Sequence, residues 1–573
     1  MAMRLLTPAL LLFLLPTRGS PAALSPLPPP DTASFHFRIA VVDGATRRGV
    51  PLVLLRTGDF VQQYSDSAGN VAFFEPGLMD QPVWFSVLAD GYNLSSRATD
   101  NPTAQAYSDG YDSGVVLTTT SGGSATVVLD RLQHAERVYR LTGGGIYRDS
   151  VLTGDHAAIP PSAVPRAVID GASGSIGQDT LMLAPYKGQL IWLFGDTVCP
   201  RSARQNNCNG TGMYTVGARS CLPGGGPAAA ANCDPAAPPA LQYFGEESPP
   251  GFHHPHPIAP IPPLSQNTWI AALATIDAGT PQEALFGAYY KNPGDGAEPG
   301  SAAQGMARWD DESQTLIKHG EEWPRNASLS LNGVHAVQRL SPADAARLPK
   351  YVWFCNGAVN SRVLADAASM SSYSSFESLP RLGLGATEWH CQTVNWNVAT
   401  GRYVCMGTAA VNSASDVQSI AFSHSLRGPY VNGSVSRNSF PSFATSSLPP
   451  PPLLSAPPSP RPSPMLLSSL VLTYAGWRLA VLQVVSTHNA SGSSCYNALH
   501  MPHLDLSNGT IFYACTYTSM WSNNRTLGPN LWSTCLFGSR LGSGQGCAPV
   551  APRYEYNNLV YRVDLMRLLG GDG

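Results

Sequence analysis

The chain has 573 residues, of which 54 are Gly, 50 are Pro and only 13% are charged, and its formal net charge is −3. This length exceeds one ordinary domain, and the supply of Gly and Pro disfavours long helices. Because 35 basic residues nearly balance 38 acidic ones, there is no basic surface for a phosphate backbone, and no nucleic-acid partner is expected.

Residues 1–23 have the pattern of a secretory signal peptide. Arg4 precedes an apolar run from Leu5 to Leu15, and small residues follow from Gly19 to Ala23. The run is shorter than the roughly 20 residues that a membrane span needs, and no comparable run recurs downstream. We therefore expect a secreted protein with no membrane span after signal removal. An uncleaved anchor is the alternative, because two prolines make the segment irregular.

Seven N-x-[ST] acceptors and eleven cysteines agree with the secretory route. The acceptors begin at Asn93, Asn209, Asn326, Asn432, Asn489, Asn508 and Asn524. The cysteines lack the C-x-x-C pairs of a zinc finger or ribbon, so disulfides in an oxidising compartment are the better interpretation. Their number is odd, which leaves one thiol over, and their spacing does not determine the connectivity.

A small β unit is predicted near the N-terminus, after a Pro-rich spacer at 24–33. Its predicted strands are Phe35–Val42, Val50–Leu55, Val71–Phe74, Val83–Leu88 and Ala125–Leu129. The turn at Ser65–Asn70 has the form S/T-D-x-x-G and precedes an aromatic strand. This pattern resembles the carboxypeptidase-regulatory or transthyretin-like module. The resemblance implies a β-sandwich over 34–140 that serves as a spacer or adhesive unit without catalysis.

Beyond Leu141 the sequence predicts many short, aromatic-rich strands and no long helix. They are Gln189–Thr197, Thr268–Ile276, Ala284–Lys291, Lys350–Gly357, Arg402–Val411, Ser419–His424, Trp477–Ser486, Thr510–Thr518 and Asn557–Leu565. Such a series favours a β-propeller or a large sandwich, and the lack of a crisp 40-residue repeat disfavours the WD type.

Two segments of this region are interpreted as insertions. Residues 199–263 are rich in Pro, Ala and Gly and hold four Cys, which predicts a loop stapled by one or two disulfides. Residues 440–466 include a low-complexity Pro-Ser run and are expected to be an extended surface segment. The run resembles hydroxyproline-rich glycoproteins of plant and algal extracellular matrices, which points to a cell-wall or matrix setting.

The most distinctive stretch is Gly177-Gln178-Asp179-Thr180, followed by the run Trp192–Thr197, W-L-F-G-D-T. It resembles the first blade of five-bladed β-propeller proteins of the arabinanase and fructosidase style and of the bacterial endo-D-arabinanase type. The resemblance implies a five-bladed propeller over 145–567, and the predicted fold class is all-β, an N-terminal β-sandwich followed by this propeller. In that architecture the first strands of the blades line a central funnel, and acidic residues at their entrances act on sugars.

Asp179 and Asp196 are the candidate catalytic pair. A hairpin that turns near Lys187-Gly188 places them opposite each other, with Cβ atoms about 4.5–5.5 Å apart. Glycoside hydrolysis uses one protonated and one ionised carboxyl group, and two neighbouring carboxylates separate their pKa values in that sense. In the alternative interpretation, each carboxylate caps a turn through backbone N–H groups.

Further polar and aromatic residues are candidates for substrate binding. They are Trp269, Asn332, His335, Gln418, Asn497 and His500. Trp269 could instead pack between blades. The resembled proteins carry carboxylates where this chain has Gln418 and Cys515, so two funnel carboxylates are expected to be missing. Gln418 still forms hydrogen bonds but does not transfer a proton usefully.

No metal and no other cofactor are expected. His500 and His503 have a metal-like spacing, but on a strand two residues three apart face opposite sides. The sequence has no G-x-S-x-G, Walker or dinucleotide motif in a suitable context, which argues against serine hydrolases, NTPases and dehydrogenases.

Together, these features predict a secreted carbohydrate-active propeller protein, a glycoside hydrolase acting on extracellular polysaccharide. The alternative is a non-catalytic carbohydrate-binding or extracellular-matrix glycoprotein on the same scaffold, and the missing funnel carboxylates favour it. The expected partner is an extracellular polysaccharide or glycan. The sequence predicts neither the sugar, the linkage, nor the oligomeric state.

Overall fold

The computed structural model describes most of the predicted strand regions. The described residues are 35–97, 99–105, 113–141, 149–155, 177–198, 215–224, 233–247, 253–263, 267–292, 303–324, 335–347, 351–354, 357–360, 392–411, 414–424, 426, 471–474, 477–480, 482–486, 494–518 and 557–570. The predicted signal peptide at 1–23, the spacer at 24–33, the insertion at 440–466 and Asn332 lie outside them.

In this described part the chain is nearly all-β, as predicted. The helices are short segments at Asp149–Leu152, Pro342–Arg347 and Leu565–Leu568, with single 3-10 turns at Pro76–Leu78 and Pro502–Leu504. None of these helices has the length and apolarity to cross a membrane.

Two sheets form an N-terminal unit over 35–131. Its strands are β1 (Phe37–Asp43), β2 (Leu54–Thr57), β3 (Gln62–Tyr64), β4 (Asn70–Phe73), β5 (Pro82–Leu88), β6 (Tyr92–Leu94), β7 (Ala104–Gln105), β8 (Gly114–Thr118) and β9 (Ser124–Arg131). One sheet has the order β4-β1-β9-β6 and the other β3-β2-β5-β8-β7. Alternate residues of β1 are buried, and they share one hydrophobic core with alternate residues of β5.

The strand predicted at Val50–Leu55 is wrong at its start. The observed strand β2 begins at Leu54, and Leu52 has a left-handed φ of 59°. The amide of Val50 donates to the carbonyl of Val41, and the amide of Leu52 donates to that of Ser65, so these residues are buried in an irregular connection. The apolar run therefore reflects burial and not strand pairing.

The remaining strands follow in chain order. They are β10 (Glu136–Arg140), β11 (Gly177–Gln178), β12 (Leu181–Tyr186), β13 (Gln189–Val198), β14 (Thr215–Cys221), β15 (Gln242–Tyr243), β16 (Gly245–Glu247), β17 (His253–Pro255), β18 (Asn267–Ile276), β19 (Ala284–Asn292), β20 (Ala303–Asp310), β21 (Thr315–Pro324), β22 (Tyr351–Phe354), β23 (Gly357–Asn360), β24 (Thr393–Asn397), β25 (Arg402–Val411), β26 (Ala414–Ser423), β27 (Val471–Tyr474), β28 (Trp477–Ala480), β29 (Leu482–Ser486), β30 (Ser494–His500), β31 (Thr510–Thr518) and β32 (Asn557–Asp564).

These strands form successive antiparallel sheets, which we name in chain order. The first sheet has β11 and β12 on one side of β13, followed by β14 and β15, and the second sheet is β18-β19-β20-β21. The third sheet is the hairpin β22-β23, and the fourth is β24-β25-β26-β29. The closing sheet, β10-β32-β31-β30, joins a strand from before residue 141 to the last three strands. Two further hairpins, β16-β17 and β27-β28, stand apart from these sheets.

The structure corrects the interpretation of 199–263 as one inserted loop. Thr215–Cys221 forms β14, which pairs along β13, and Gln242–Tyr243 forms the next strand. A disulfide joins Cys221 at the end of β14 to Cys233. The strand predicted at Lys350–Gly357 is observed as Tyr351–Phe354, and the next strand begins at Gly357. The strand predicted at Trp477–Ser486 corresponds to β28 and β29, which pair with different strands.

Hydrophobic cores lie between successive sheets. One core joins β12, β13 and β14 to the closing sheet, a second joins β12 and β13 to β18, β19 and β20, and a third joins the closing sheet to β25 and β26. One strand from each of the five sheets also contacts a strand of another sheet. β12 contacts β18 and β30, β18 contacts β22, and β24 contacts β30.

Strand β10 ties the N-terminal unit to the closing sheet. Its Arg137 is buried and donates to the carbonyls of Pro51, Leu52 and Asp90 of the N-terminal unit. Arg140 is also buried and donates to the carbonyl of Ser65. The same strand pairs with β32 along the edge of the closing sheet.

Candidate functional site

The candidate site starts from the hairpin of β12 and β13, which has the predicted register. Its turn is Lys187-Gly188, and both residues have left-handed φ angles, 47° and 74°. A two-residue turn of that kind matches the twist of paired strands. Leu181 lies opposite Phe194, and Gln178 lies opposite Thr197. The predicted hairpin is therefore confirmed.

Asp179 and Thr180 lie in a short break in this ladder. The amide of Gly195 donates to both of their carbonyl oxygens, at 3.1 Å and 2.9 Å. The register on either side of the break places the backbone of Asp179 opposite that of Asp196. The side chain of Asp196 lies outside the described side chains, so the contact between the two carboxyl groups stays a prediction.

The carboxylate of Asp179 is held by the residue that follows it. Oδ1 accepts hydrogen bonds from the Thr180 amide and, at 2.9 Å, from the Thr180 hydroxyl. Asp179 is only partly buried. It therefore binds a backbone N–H, as the turn-capping alternative requires, and it also keeps the solvent access that a catalytic carboxylate requires.

Asn497 links the closing sheet to this break. Its Nδ2 donates to the Thr180 hydroxyl at 2.5 Å, and it lies at an irregularity in the pairing of β30 with β31. Its φ is 54°, in the left-handed region that Asn tolerates better than most residues. The predicted site residues Asp179 and Asn497 are thus brought together through Thr180, which sequence reasoning did not select.

A buried polar layer lies beside Asp179. Tyr243 donates to the side-chain carbonyl of Gln178 at 2.8 Å, and Asn558 donates to the Gln178 backbone carbonyl at 2.8 Å. All three residues are buried. Asn558 comes from β32, so no local motif relates it to Gln178. Only the position of Gln178 within the G-Q-D-T motif could have drawn attention to this layer.

Trp269 stands near the start of β18. Its ring packs edge-on against Tyr290 of the neighbouring strand, with centroids 5.2 Å apart. Thr215, which lies opposite Asp196 in β14, donates to the carbonyl of Thr268. Thr215 therefore joins the backbone of β18 to the residue that lies opposite Asp196. The ring contact lies within the second sheet, so the predicted sugar contact of Trp269 and the alternative of packing between blades both stay predictions.

His335 and His500 lie deeper in the molecule, where they line a small cavity with Leu183, Leu273 and Pro502. The space is about that of a single water molecule. Burial lowers the pKa of His335 to about 4. Both histidines are almost fully buried, so contact with a polymeric substrate, as predicted for them, is not available in this conformation.

His500 is anchored by a carboxylate. Its Nε2 lies 3.0 Å from Asp505, which also accepts from Asn397 at 3.2 Å. His503 lies on the 3-10 turn after β30, so the prediction that His500 and His503 share a strand is wrong. In the described ranges, no group of three or more His, Cys, Asp or Glu side chains could hold a metal ion.

Gln418 and Cys515 are the two positions where the resembled proteins carry carboxylates, and neither lies on β12, β18, β22, β24 or β30. Gln418 lies in β26, the third strand of the fourth sheet, and its side chain is outside the described side chains. Cys515 lies in β31, is buried and is disulfide-bonded. Both positions therefore lie on interior strands of their sheets, and the predicted substrate contact of Gln418 stays a prediction.

Comparison with known proteins adds only loose likenesses. No family model and no curated protein matches the chain. The chain is similar to an exo-1,5-alpha-L-arabinanase from a bovine ruminal metagenomic library, with a TM-score of 0.28 and 8% identity over 68% of this chain and 94% of that one. It is similar to Trypanosoma rangeli sialidase in complex with sialic acid, with a TM-score of 0.31 and 8% identity over 93% of this chain and 61% of that one. It is also similar to Bacteroides ovatus xyloglucan PUL GH43B, with a TM-score of 0.19 and 11% identity over 82% and 48%. Every one of these scores is below 0.5, so none of them assigns a family or an activity.

Proposed function

We propose that this protein is a secreted glycoside hydrolase, in which Asp179 and Asp196 cleave an extracellular polysaccharide. One observation carries the proposal. The partly exposed carboxylate of Asp179 lies between β11 and β12 of the first sheet, and its backbone lies opposite that of Asp196 on β13. Two carboxyl groups on either side of the glycosidic bond are the arrangement that its cleavage uses.

The proposed scaffold is a five-bladed β-propeller preceded by a β-sandwich of the carboxypeptidase-regulatory type. Three features support the propeller. Five sheets follow one another in the chain, and β12, β18, β22, β24 and β30, one strand from each sheet, form the contacts given above. Hydrophobic cores join the second sheet to the first, the first to the closing sheet, and the closing sheet to the fourth. The closing sheet contains strands from both ends of this region, which is how the ring of a propeller can be closed.

The hydrogen bonds at Asp179 suggest how the two carboxyl groups divide the work. Donation from the Thr180 amide and hydroxyl stabilises an ionised carboxylate. In the proposed reaction Asp179 therefore attacks the sugar carbon or takes a proton from the attacking water. Asp196 protonates the glycosidic oxygen as its bond to carbon breaks. If Asp179 attacks the sugar carbon, a water molecule then cleaves the bond between Asp179 and the sugar and gives its proton to Asp196. If Asp179 instead takes the proton of the attacking water, exchange with solvent returns both carboxyl groups to their starting protonation states.

The secretory route is part of the proposal. Of the seven glycan acceptors, Asn93 and Asn508 lie among the described residues, and both are exposed. We expect glycopeptides at both positions in protein secreted from eukaryotic cells, detected by mass spectrometry before and after removal of N-glycans. Full-length, unglycosylated protein retained inside cells would contradict the proposed localisation.

A non-catalytic glycan-binding or matrix protein is the second candidate, and one observation favours it. Strands β18, β24 and β30 contain no Asp or Glu, and β30 places the amide of Asn497 beside Thr180. In such a protein the partly exposed amide of Asn497 could bind a sugar hydroxyl, but it would not transfer a proton to a leaving group.

The test compares Asp179→Asn and Asp196→Asn with the exposed Asp59→Asn, which changes the same net charge on the N-terminal unit. Each protein is incubated with a panel of soluble polysaccharides, and release of reducing ends and retention in affinity gels are measured. Release that falls by at least a hundredfold in both site variants but not in Asp59→Asn would support the hydrolase. Retention without release from any protein would refute hydrolysis and leave the binding protein.

A further inference from the structure

We infer that Thr180 is a positioning residue that holds the carboxylate of Asp179 in one orientation, and that Asn497 fixes the direction of the Thr180 hydroxyl. The inference assigns these two residues a role in the site of the proposed function and rests on it. Asn497 would then act through Thr180 and would not contact the substrate directly.

The direction of the relay follows from counting donors and acceptors. A threonine hydroxyl has one proton to donate and lone pairs to accept. The amide nitrogen Nδ2 of Asn497 only donates, so Thr180 accepts there. The single hydroxyl proton is then committed to Oδ1 of Asp179, 2.9 Å away. An orientation of the hydroxyl toward Asn497 would put two donors face to face.

The backbone around this relay is held from two sides. The amide of Gly195 binds the carbonyls of both Asp179 and Thr180, so the two residues cannot rotate independently. On the other side, Asn497 keeps a left-handed φ of 54° at a bulge in β30. Bulges re-aim side chains, and unusual backbone conformations of this kind persist where the surroundings enforce them.

The relay also joins two sheets that are far apart in the chain. Thr180 precedes β12 of the first sheet, and Asn497 lies on β30 of the closing sheet. The three residues are each partly exposed, so a bound solute could reach the carboxylate while the relay holds it. This hydrogen bond ties Asp179 to a second sheet, which a contact within one hairpin would not do.

The variants are chosen to separate the hydroxyl from the shape of the side chain. Thr180→Val keeps the shape and removes the hydroxyl, whereas Thr180→Ser keeps the hydroxyl. Asn497→Gly removes the amide but tolerates the left-handed backbone, which Asn497→Ala would strain. Because the hydroxyl stabilises the ionised form, its loss should raise the pKa of Asp179. The pKa of Asp179 should rise most in Thr180→Val and less in Asn497→Gly, and it should stay close to the wild-type value in Thr180→Ser.

The first readout does not depend on activity. The full chain, labelled with ¹³C at aspartate carboxyl carbons, is titrated by NMR, and the Asp179 signal is assigned by its loss in Asp179→Asn. An upward shift in Thr180→Val, with Thr180→Ser unchanged, supports the inference. An unshifted titration in folded Thr180→Val overturns it, whether or not the protein cleaves polysaccharide. If Thr180→Val does not fold, the same comparison of Asn497→Gly with wild type decides.

The second readout separates this inference from the proposed function. If the wild type cleaves a polysaccharide, the acidic limb of its pH profile should move to higher pH in Thr180→Val, in step with the titration. A limb that stays in place while the titration shifts overturns the positioning role and leaves the hydrolase standing. A shifted titration in a protein that cleaves nothing supports the contact and refutes the hydrolase.

Discussion

Replacing Arg137 by Met should destabilise the protein strongly, although the residue is far from the candidate site. The guanidinium is buried and donates to three carbonyl oxygens, at 2.9, 3.2 and 2.8 Å. Met occupies a similar volume but cannot donate. Three buried carbonyls would lose their donor, and at about 1 kcal/mol each the loss is roughly 3 kcal/mol of unfolding free energy.

The assay is equilibrium unfolding in urea, followed by tryptophan fluorescence, because urea does not screen charges as a guanidinium salt does. Arg97→Met is the matched control. Arg97 pairs with Asp100 and Asp130, but its side chain is 57% exposed, so its loss should cost less than about 1 kcal/mol. Arg137→Lys should also be destabilising, because one ammonium group cannot reproduce the fork that reaches separate carbonyls. An Arg137→Met protein as stable as Arg97→Met would refute the reasoning.

Three further changes have outcomes that the structure predicts. Gly69→Ala should cost more than about 1 kcal/mol, because φ is 79° and a Cβ would lie 2.4 Å from a carbonyl of β1, whereas Gly77→Ala, in open space, should be neutral in the same urea assay. Replacing Cys221 and Cys233 by Ser opens a loop of sequence separation 12 and should cost about 3 kcal/mol, measured by thermal unfolding without reductant. Burial holds the pKa of His335 at about 4, so the unfolded state binds protons that the native state does not, and stability should fall as pH drops from about 6.5 toward 4. His335→Gln should flatten that slope, and an unchanged slope between these pH values would contradict the assignment.

The hairpin at the candidate site could be predicted because the residues that determine it are neighbours in the sequence. Lys187-Gly188 is a two-residue turn between apolar runs, and both residues adopt the left-handed conformation that such turns need. Once the turn is fixed, the register of every residue on both strands follows. That is why the opposition of the Asp179 and Asp196 backbones could be read from sequence, while the relay through Asn497 could not.

The features that sequence reasoning missed depend on partners distant in the chain. Strand β14 lies in a region rich in Gly, Pro and Ala, and its identity comes from pairing with β13 and not from its own composition. The amide of Asn558 reaches the backbone of Gln178 across 380 residues. No spacing rule relates such residues, because their proximity is a product of how the closing sheet meets the first sheet.

The contacts of β10 indicate that the N-terminal unit is part of the same folded structure as the sheets that follow it. As a spacer, that unit could be removed without consequence for the sheets that follow. Instead, Leu52 of the unit and Ala135 beside β10 belong to the same hydrophobic core as strands β25, β26 and β31. Removing the unit would expose this core and leave the guanidinium groups of Arg137 and Arg140 without the carbonyls that they bind. Because β10 is also the edge strand of the closing sheet, the N-terminal unit and that sheet are expected to fold together, and the geometry at Asp179 then depends on both.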